Sequence, residues 1–201
     1  RAMLIQFPTR DYAGYIFDHD GTLIDSMPVH FDAWTAGLRN SGFVHEFSEE
    51  LFYSLGGVPT KRIVEILNER HGTTLDPEAV MHEKERIYLE LLPGVPRIVP
   101  VVEFAERAVA RGIPISIASG GPRPVVNAAL RGAGLDHLFP VIVTPEDVEH
   151  GKPSPEMFLL AARKMGVPAR ECLVLEDAEM GRQAAVAAGM DYVLIPQPAQ
   201  R

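Results

Sequence analysis

Five short apolar runs, each closed by turn-forming residues, divide the chain: Tyr15 to Asp18, Ile113 to Ser119, Val141 to Thr144, Leu173 to Glu176 and Tyr192 to Ile195. Continuous apolar runs of this length predict strands buried on both faces. Between the second and the fifth, Pro124 to Arg131, Pro155 to Met165 and Glu179 to Ala188 carry helical patterns. Such alternation predicts an α/β fold, a doubly wound parallel sheet of the Rossmann-like kind. Ser154 is expected to cap a helix that opens on Pro155, and Gly189 follows the end of the last helix. Small residues at Ala178, Gly181, Ala184, Ala185 and Ala188 let that helix lie close on the sheet.

The first connection breaks the pattern, because strand one ends near Asp18 and strand two starts near Ile113. That gap is far longer than one crossover helix needs. Within it Phe31, Trp34 and Leu38, then Ile63, Ile66 and Leu67, then Val80, Ile87 and Leu91 recur at three- to four-residue spacing, which predicts a small helical bundle. The expected organisation is a core of residues 1–26 and 94–201 with a helical domain, residues 27–93, inserted after strand one. Gly, Pro and short polar residues at Asp25 to Pro28 and Pro93 to Pro96 suit hinges at the two junctions. Trp34 and the Phe and Tyr residues of the insert read as its core, not as a stacking platform.

Composition narrows the function. With 201 residues the chain holds one sizeable core and a modest insert, 46% apolar and 23% charged, which is ordinary globular usage. A net charge of −8 without a dense Lys/Arg stripe argues against nucleic-acid and anionic-membrane partners. It also means that a site for phosphate must bring its own cation. The one cysteine, Cys172, lies in an apolar run and reads as a small buried hydrophobe. No stretch reaches the length of a membrane span and no leader pattern is present, so a soluble, cytoplasmic monomer is the expectation.

Four clusters carry chemistry, each at the carboxyl end of a predicted strand or just before a helix. In Asp18-His19-Asp20-Gly21-Thr22 a two-residue step along an extended backbone puts Asp18 and Asp20 on one side. Paired carboxylates can divide phosphoryl transfer between a nucleophile and a general acid/base, and Gly21 permits the sharp turn. Strand alternation turns His19 away from the two acids, toward a structural role. Ser119, before Gly120 and Gly121, offers a hydroxyl and backbone N–H groups to phosphate oxygens. Lys152 stands in a loop stiffened by Pro153 and Pro155; such a lysine is either a solvated surface cation or a pinned charge facing phosphate. Glu176 and Asp177 close strand four, where adjacent acids call for solvent or a cation, and carboxylate oxygens suit Mg²⁺; helix capping by Asp177 is the competing explanation. Ligands of open α/β sheets bind at these strand ends.

Through Asp18-x-Asp20-Gly21-Thr22, Ser119, Gly151-Lys152-Pro153 and Glu176-Asp177, in that order, the chain resembles the haloacid dehalogenase superfamily of phosphotransferases. The resemblance implies that Asp18 is the phosphorylated nucleophile and a Mg²⁺ ligand. It implies that Asp20 is the general acid/base and offers its carbonyl to the metal, that Asp177 is a metal ligand, and that Glu176 supports the metal shell. Ser119, Gly120 and Lys152 would then hold the phosphoryl group, and the insert would be a cap over a small phosphorylated metabolite. The superfamily's dehalogenases lack the second Asp, so Asp20 speaks against halide chemistry.

Within the superfamily the chain looks like the β-phosphoglucomutase-like group, and most like its fructose-1-phosphate phosphatase-type branch. In the mutases a cap loop brings Arg and Lys to the far phosphate of a bisphosphate; the matching positions here are Thr60 and Gly56. Losing such an Arg removes on the order of 1.5 to 3 kcal/mol per charged hydrogen bond, which favours water over a sugar phosphate as acceptor. Lys61 and Arg62 reach inward only if the loop shifts by one residue. His30 matches a cap histidine that relays to Asp20; its alternative is a packed helix residue. The expected activity is Mg²⁺-dependent hydrolysis of a sugar or polyol phosphate through an aspartyl-phosphate, with a phosphosugar mutase and a non-catalytic phosphometabolite sensor as the alternatives.

Overall fold

The computed structural model describes residues 5–197. Five parallel strands, β1 (Gly14–Phe17), β2 (Ile115–Ala118), β3 (Val141–Val143), β4 (Cys172–Glu176) and β5 (Asp191–Leu194), form one sheet in the order β3-β2-β1-β4-β5. The chain first builds outward from β1 through β2 to β3, then returns to add β4 on the other side of β1. The switch point therefore lies between β1 and β4, where open α/β sheets bind ligands. The register pairs Phe17 with both Ile117 and Leu175, so the carboxyl ends of β1, β2 and β4 lie level.

Side-chain alternation splits the core into two layers. Tyr15, Phe17, Ile115, Ile117, Leu173 and Leu175 face α5 (Val99–Ala110) and α6 (Arg123–Gly132). Ile16, Ala118 and Val174 face α7 (Glu156–Met165) and α8 (Glu179–Ala187). The five strands fall within a residue or two of the expected runs, but β5 is not buried as expected: it is the sheet edge, and Tyr192 and Leu194 are exposed. Helix α5 is an addition to the sequence reading: Val101, Val102, Ala105 and Ala108 form its buried face, and Pro100 is tolerated because it sits in the first turn. Helix α7 starts one residue later than expected, with Pro155 at the cap position, though Ser154 Oγ still accepts from the Glu156 amide at 3.4 Å. Cys172 is fully buried, and burial pushes its thiol up to about 11.

Between β1 and α5 lie four helices: α1 (Met27–Asn40), α2 (Glu49–Ser54), α3 (Thr60–His71) and α4 (Pro77–Leu91). Trp34, Leu38, Phe43, Phe47, Phe52, Ile63, Val64, Leu67 and Val80 give them a core of their own. Helices α1 and α4 meet closely, since a Cβ on Gly37 would stand 3.1 Å from the Lys84 Cα. The two linkers to the sheet are tied together: Asp25 donates its amide to Pro96 O at 2.8 Å, and Ile98 donates to Leu23 O at 2.9 Å. Among the described residues no helix is long and apolar enough to cross a membrane.

Candidate active site

Lys152 holds the centre. Its ammonium donates to Asp18 Oδ1 and to Glu176 Oε1, each at 2.6 Å, and its side chain is only 8% exposed. Burial pulls the lysine pKa down, but the Asp18 and Glu176 charges more than reverse this, so the net shift is upward and the ammonium stays charged. The lysine is thus pinned and buried, not a solvated surface cation. The second oxygen of Glu176 accepts from the Ala178 amide at 2.7 Å. Glu176 therefore anchors Lys152 and the start of α8 at once.

Asp18 follows β1 and is buried. Burial first, and the nearby Glu176 charge second, raise its carboxyl to about 7 even with Lys152 opposing. Asp177 is raised well above its ordinary value by burial and by Asp18 and Glu176. Asp18, Glu176 and Asp177 each offer an oxygen, all within 4.8 Å of one another. Three carboxylates crowded around one ammonium leave excess negative charge, and an all-oxygen donor set of this kind fits a hard divalent cation.

Gly21 makes room for this cluster. Its φ is +75°, and a Cβ there would stand 2.2 Å from Asp177 Oδ2. The turn it allows brings Asp20 back against the helical insert. Asp20 Oδ1 accepts from Ser26 Oγ at 2.6 Å and from the Tyr88 hydroxyl at 3.1 Å, and lies 3.0 Å from His30 Nε2. Burial raises the Asp20 carboxyl, but His19 and His30 outweigh it and hold it well below the usual range. His30 itself is lowered, by burial and then by the Lys84 charge. The expectation that His19 turns away from the acids fails: Nδ1 lies 3.3 Å from Asp20 Oδ2, because the backbone leaves strand geometry after Phe17 and alternation no longer applies. Neither ring nitrogen makes an aligned hydrogen bond, so the contact is one of charge.

Ser119 is buried at the end of β2, and its Oγ accepts from the Gly121 amide at 3.1 Å. Gly120, beside it, is exposed. On the insert, Thr60 is the first residue of α3. Lys61 and Arg62 are not brought to the cluster: both are exposed, Lys61 pairing with Glu78 and Arg62 with Glu65 and Glu69. Two further residues near Asp20 escaped the sequence reading, Tyr88 and Lys84. Both lie on the buried stripe of α4 with Val80 and Ile87, and a lysine within such a stripe was the available signal. The Lys84 ammonium stands 5.3 Å from the Tyr88 ring centroid; burial lowers its pKa, with Asp20 and Glu85 opposing.

A cleft lined by carboxylates at the switch point of a parallel sheet is where an α/β enzyme places its site. The family is more specific: the chain belongs to the haloacid dehalogenase-like hydrolases, whose family model matches residues 12–189. It is 38% identical over 182 residues to fructose-1-phosphate phosphatase YqaB of Escherichia coli, covering 90% of this chain and 95% of that protein. It is 32% identical over 187 residues to hexitol phosphatase A of the same organism, covering 92% and 84%. The crystal structure of CbbY from Rhodobacter sphaeroides in complex with xylulose-(1,5)bisphosphate superposes with a TM-score of 0.79 at 25% identity, over 90% of this chain and 84% of that one.

Proposed function

We propose that the protein is a Mg²⁺-dependent phosphatase of small sugar or polyol phosphates, with residues 27–93 acting as its cap. The observation that carries this reading is the Lys152 bridge, which holds Asp18 beside a second carboxylate while leaving it one free oxygen. The Asp18 oxygen attacks phosphorus, the P–O ester bond breaks, and the leaving alkoxide takes a proton from Asp20. Water then gives its proton to the Asp20 carboxylate and attacks the aspartyl-phosphate, releasing phosphate and the free Asp18 carboxylate. Asp20 is held as a carboxylate in the absence of ligand. An incoming phosphate dianion opposes that and favours the acid form needed for the first step. Asp18, Asp177 and the Asp20 carbonyl, with Glu176 behind them, would hold Mg²⁺, which supplies charge neutralisation for the phosphoryl oxygens. Ser119 and the Gly120 amide complete the phosphate cradle.

Hydrolysis is favoured over transfer to a second sugar phosphate by the outward pairing of Lys61 and Arg62. Gly56 and Thr60 stand at the loop positions where the mutases carry their cations for a second phosphate, so those positions bring no charge here. The test is phosphate release from fructose 1-phosphate, 6-phosphogluconate and phosphoglycolate with and without Mg²⁺. Release that Asp18→Asn abolishes is expected. Release unaffected by Asp18→Asn overturns the mechanism, and isomerised product without free phosphate overturns hydrolysis.

A further inference from the structure

Asp20 meets the helical insert through one oxygen only. Oδ1 takes Ser26 from the linker, His30 from α1 and Tyr88 from α4. Oδ2 has His19 Nδ1 at 3.3 Å and lies 3.8 Å from where a Cβ on Gly121 would stand, a point itself 3.5 Å from Ser119 Oγ. One oxygen is thus held by the linker and the insert, and the other lies between His19 and the Ser119–Gly121 turn. Of the three partners, Tyr88 also braces a second one, His30. Its ring lies parallel to the His30 imidazole, 1° apart in plane and 4.0 Å between centroids, and the Lys84 ammonium stands 5.3 Å from the ring centroid. The residue is 1% exposed. Burial and the Asp20 charge push its phenol far above the ordinary range, so the hydroxyl remains a donor.

We infer that Tyr88 is the positioning residue for Asp20: its hydroxyl fixes Oδ1 and its ring fixes His30, so that Oδ2 is aimed at the leaving oxygen. This inference rests on the phosphatase reading above. Tyr88 touches neither substrate nor metal in this role; it acts through Asp20. Because it stands on α4 while Asp20 stands in the loop that follows β1, the aim is set only when the insert is seated on the core. A packing role alone would affect all substrates alike. A role in aiming the acid affects those whose leaving group needs a proton.

The experiment compares Tyr88→Phe with wild type on two kinds of ester under Mg²⁺. One is the fastest of fructose 1-phosphate, 6-phosphogluconate and phosphoglycolate, whose alkoxide must be protonated. The other is 4-nitrophenyl phosphate, whose phenolate leaves without a proton. The single-turnover rate of phosphoryl transfer to Asp18 is read for each. We expect Tyr88→Phe to slow the alkyl ester more than the aryl ester by about tenfold or more, the worth of a hydrogen bond to a charged group, with KM changed little. The alkyl-to-aryl ratio does not depend on how much of the variant is folded. An equal effect on both esters, or a change confined to KM, overturns the positioning role while leaving the phosphatase reading intact. A wild type that releases phosphate from none of these esters overturns both.

Discussion

Gly57 of the α2–α3 loop lies directly against Met180 of α8: a Cβ on the glycine would stand 2.9 Å from the Met180 Cβ and 3.0 Å from its sulfur, and the glycine φ is +84°. Met180 is three residues beyond Asp177, so this contact is where the insert seats on the rim of the acidic cluster. Two independent constraints, left-handed backbone and absent space, reserve the position for glycine. Gly57→Val is expected to hold the loop off α8 and to lower kcat/KM by about tenfold to a hundredfold, while thermal stability falls by only about 1 to 2 kcal/mol because the contact is at a loop. Steady-state kinetics and thermal denaturation check both halves. Unchanged kcat/KM would mean that the loop does not need to seat.

A second glycine supports the cluster from below. A Cβ on Gly181 would stand 1.9 Å from Glu176 Oε1, the oxygen that receives Lys152. Gly181→Ala therefore displaces Glu176, loosens Lys152 and frees it from its fixed distance to Asp18. We expect destabilisation of about 1 to 3 kcal/mol, as for overpacking elsewhere, together with a loss in kcat of about a hundredfold from the displaced ammonium. Ala184→Gly on the same helix provides the control, since it perturbs stability without touching Glu176. If Gly181→Ala loses stability but keeps kcat, the Glu176–Lys152 bridge is structural only.

Much of this was legible in the sequence, for a physical reason. Strands buried on both faces read as unbroken apolar runs, and the residues that end them, Asp18, Ser119, Glu176 and Asp177, fall where a parallel sheet must place its ligand. The role of Gly181 was half visible: smallness was read as close packing on the sheet, but its neighbour is the Glu176 carboxylate. What stayed hidden depends on how the insert lies over the core. Tyr88 and Lys84 are far in sequence from Asp20, and helical spacing marks them only as members of a buried stripe. His19 was misread because alternation was extended two residues beyond the end of β1. Helix α5 went unread because its apolar face follows a proline-rich hinge that resembles the start of a loop.

Charge at the cluster makes the metal-free protein sensitive to pH. Asp18 sits at about 7 in the fold against an ordinary 3.8, and Asp177 is raised as well. Below about pH 4 both carboxyls are protonated whether the chain is folded or not. As pH rises toward 7 the unfolded chain releases these protons and the folded chain retains them, so the native state binds more protons and stability falls across that window. Thermal denaturation in a chelator is expected to show this decline. Asp18→Asn, which removes one of the crowded charges, is expected to flatten it. Mg²⁺ at about a hundredfold its Kd should restore about 2.7 kcal/mol, an increment that grows with pH as the ligands ionise. A slope identical in wild type and Asp18→Asn, or a melting temperature indifferent to Mg²⁺ at pH 7, would show that the three carboxylates are balanced by Lys152 alone.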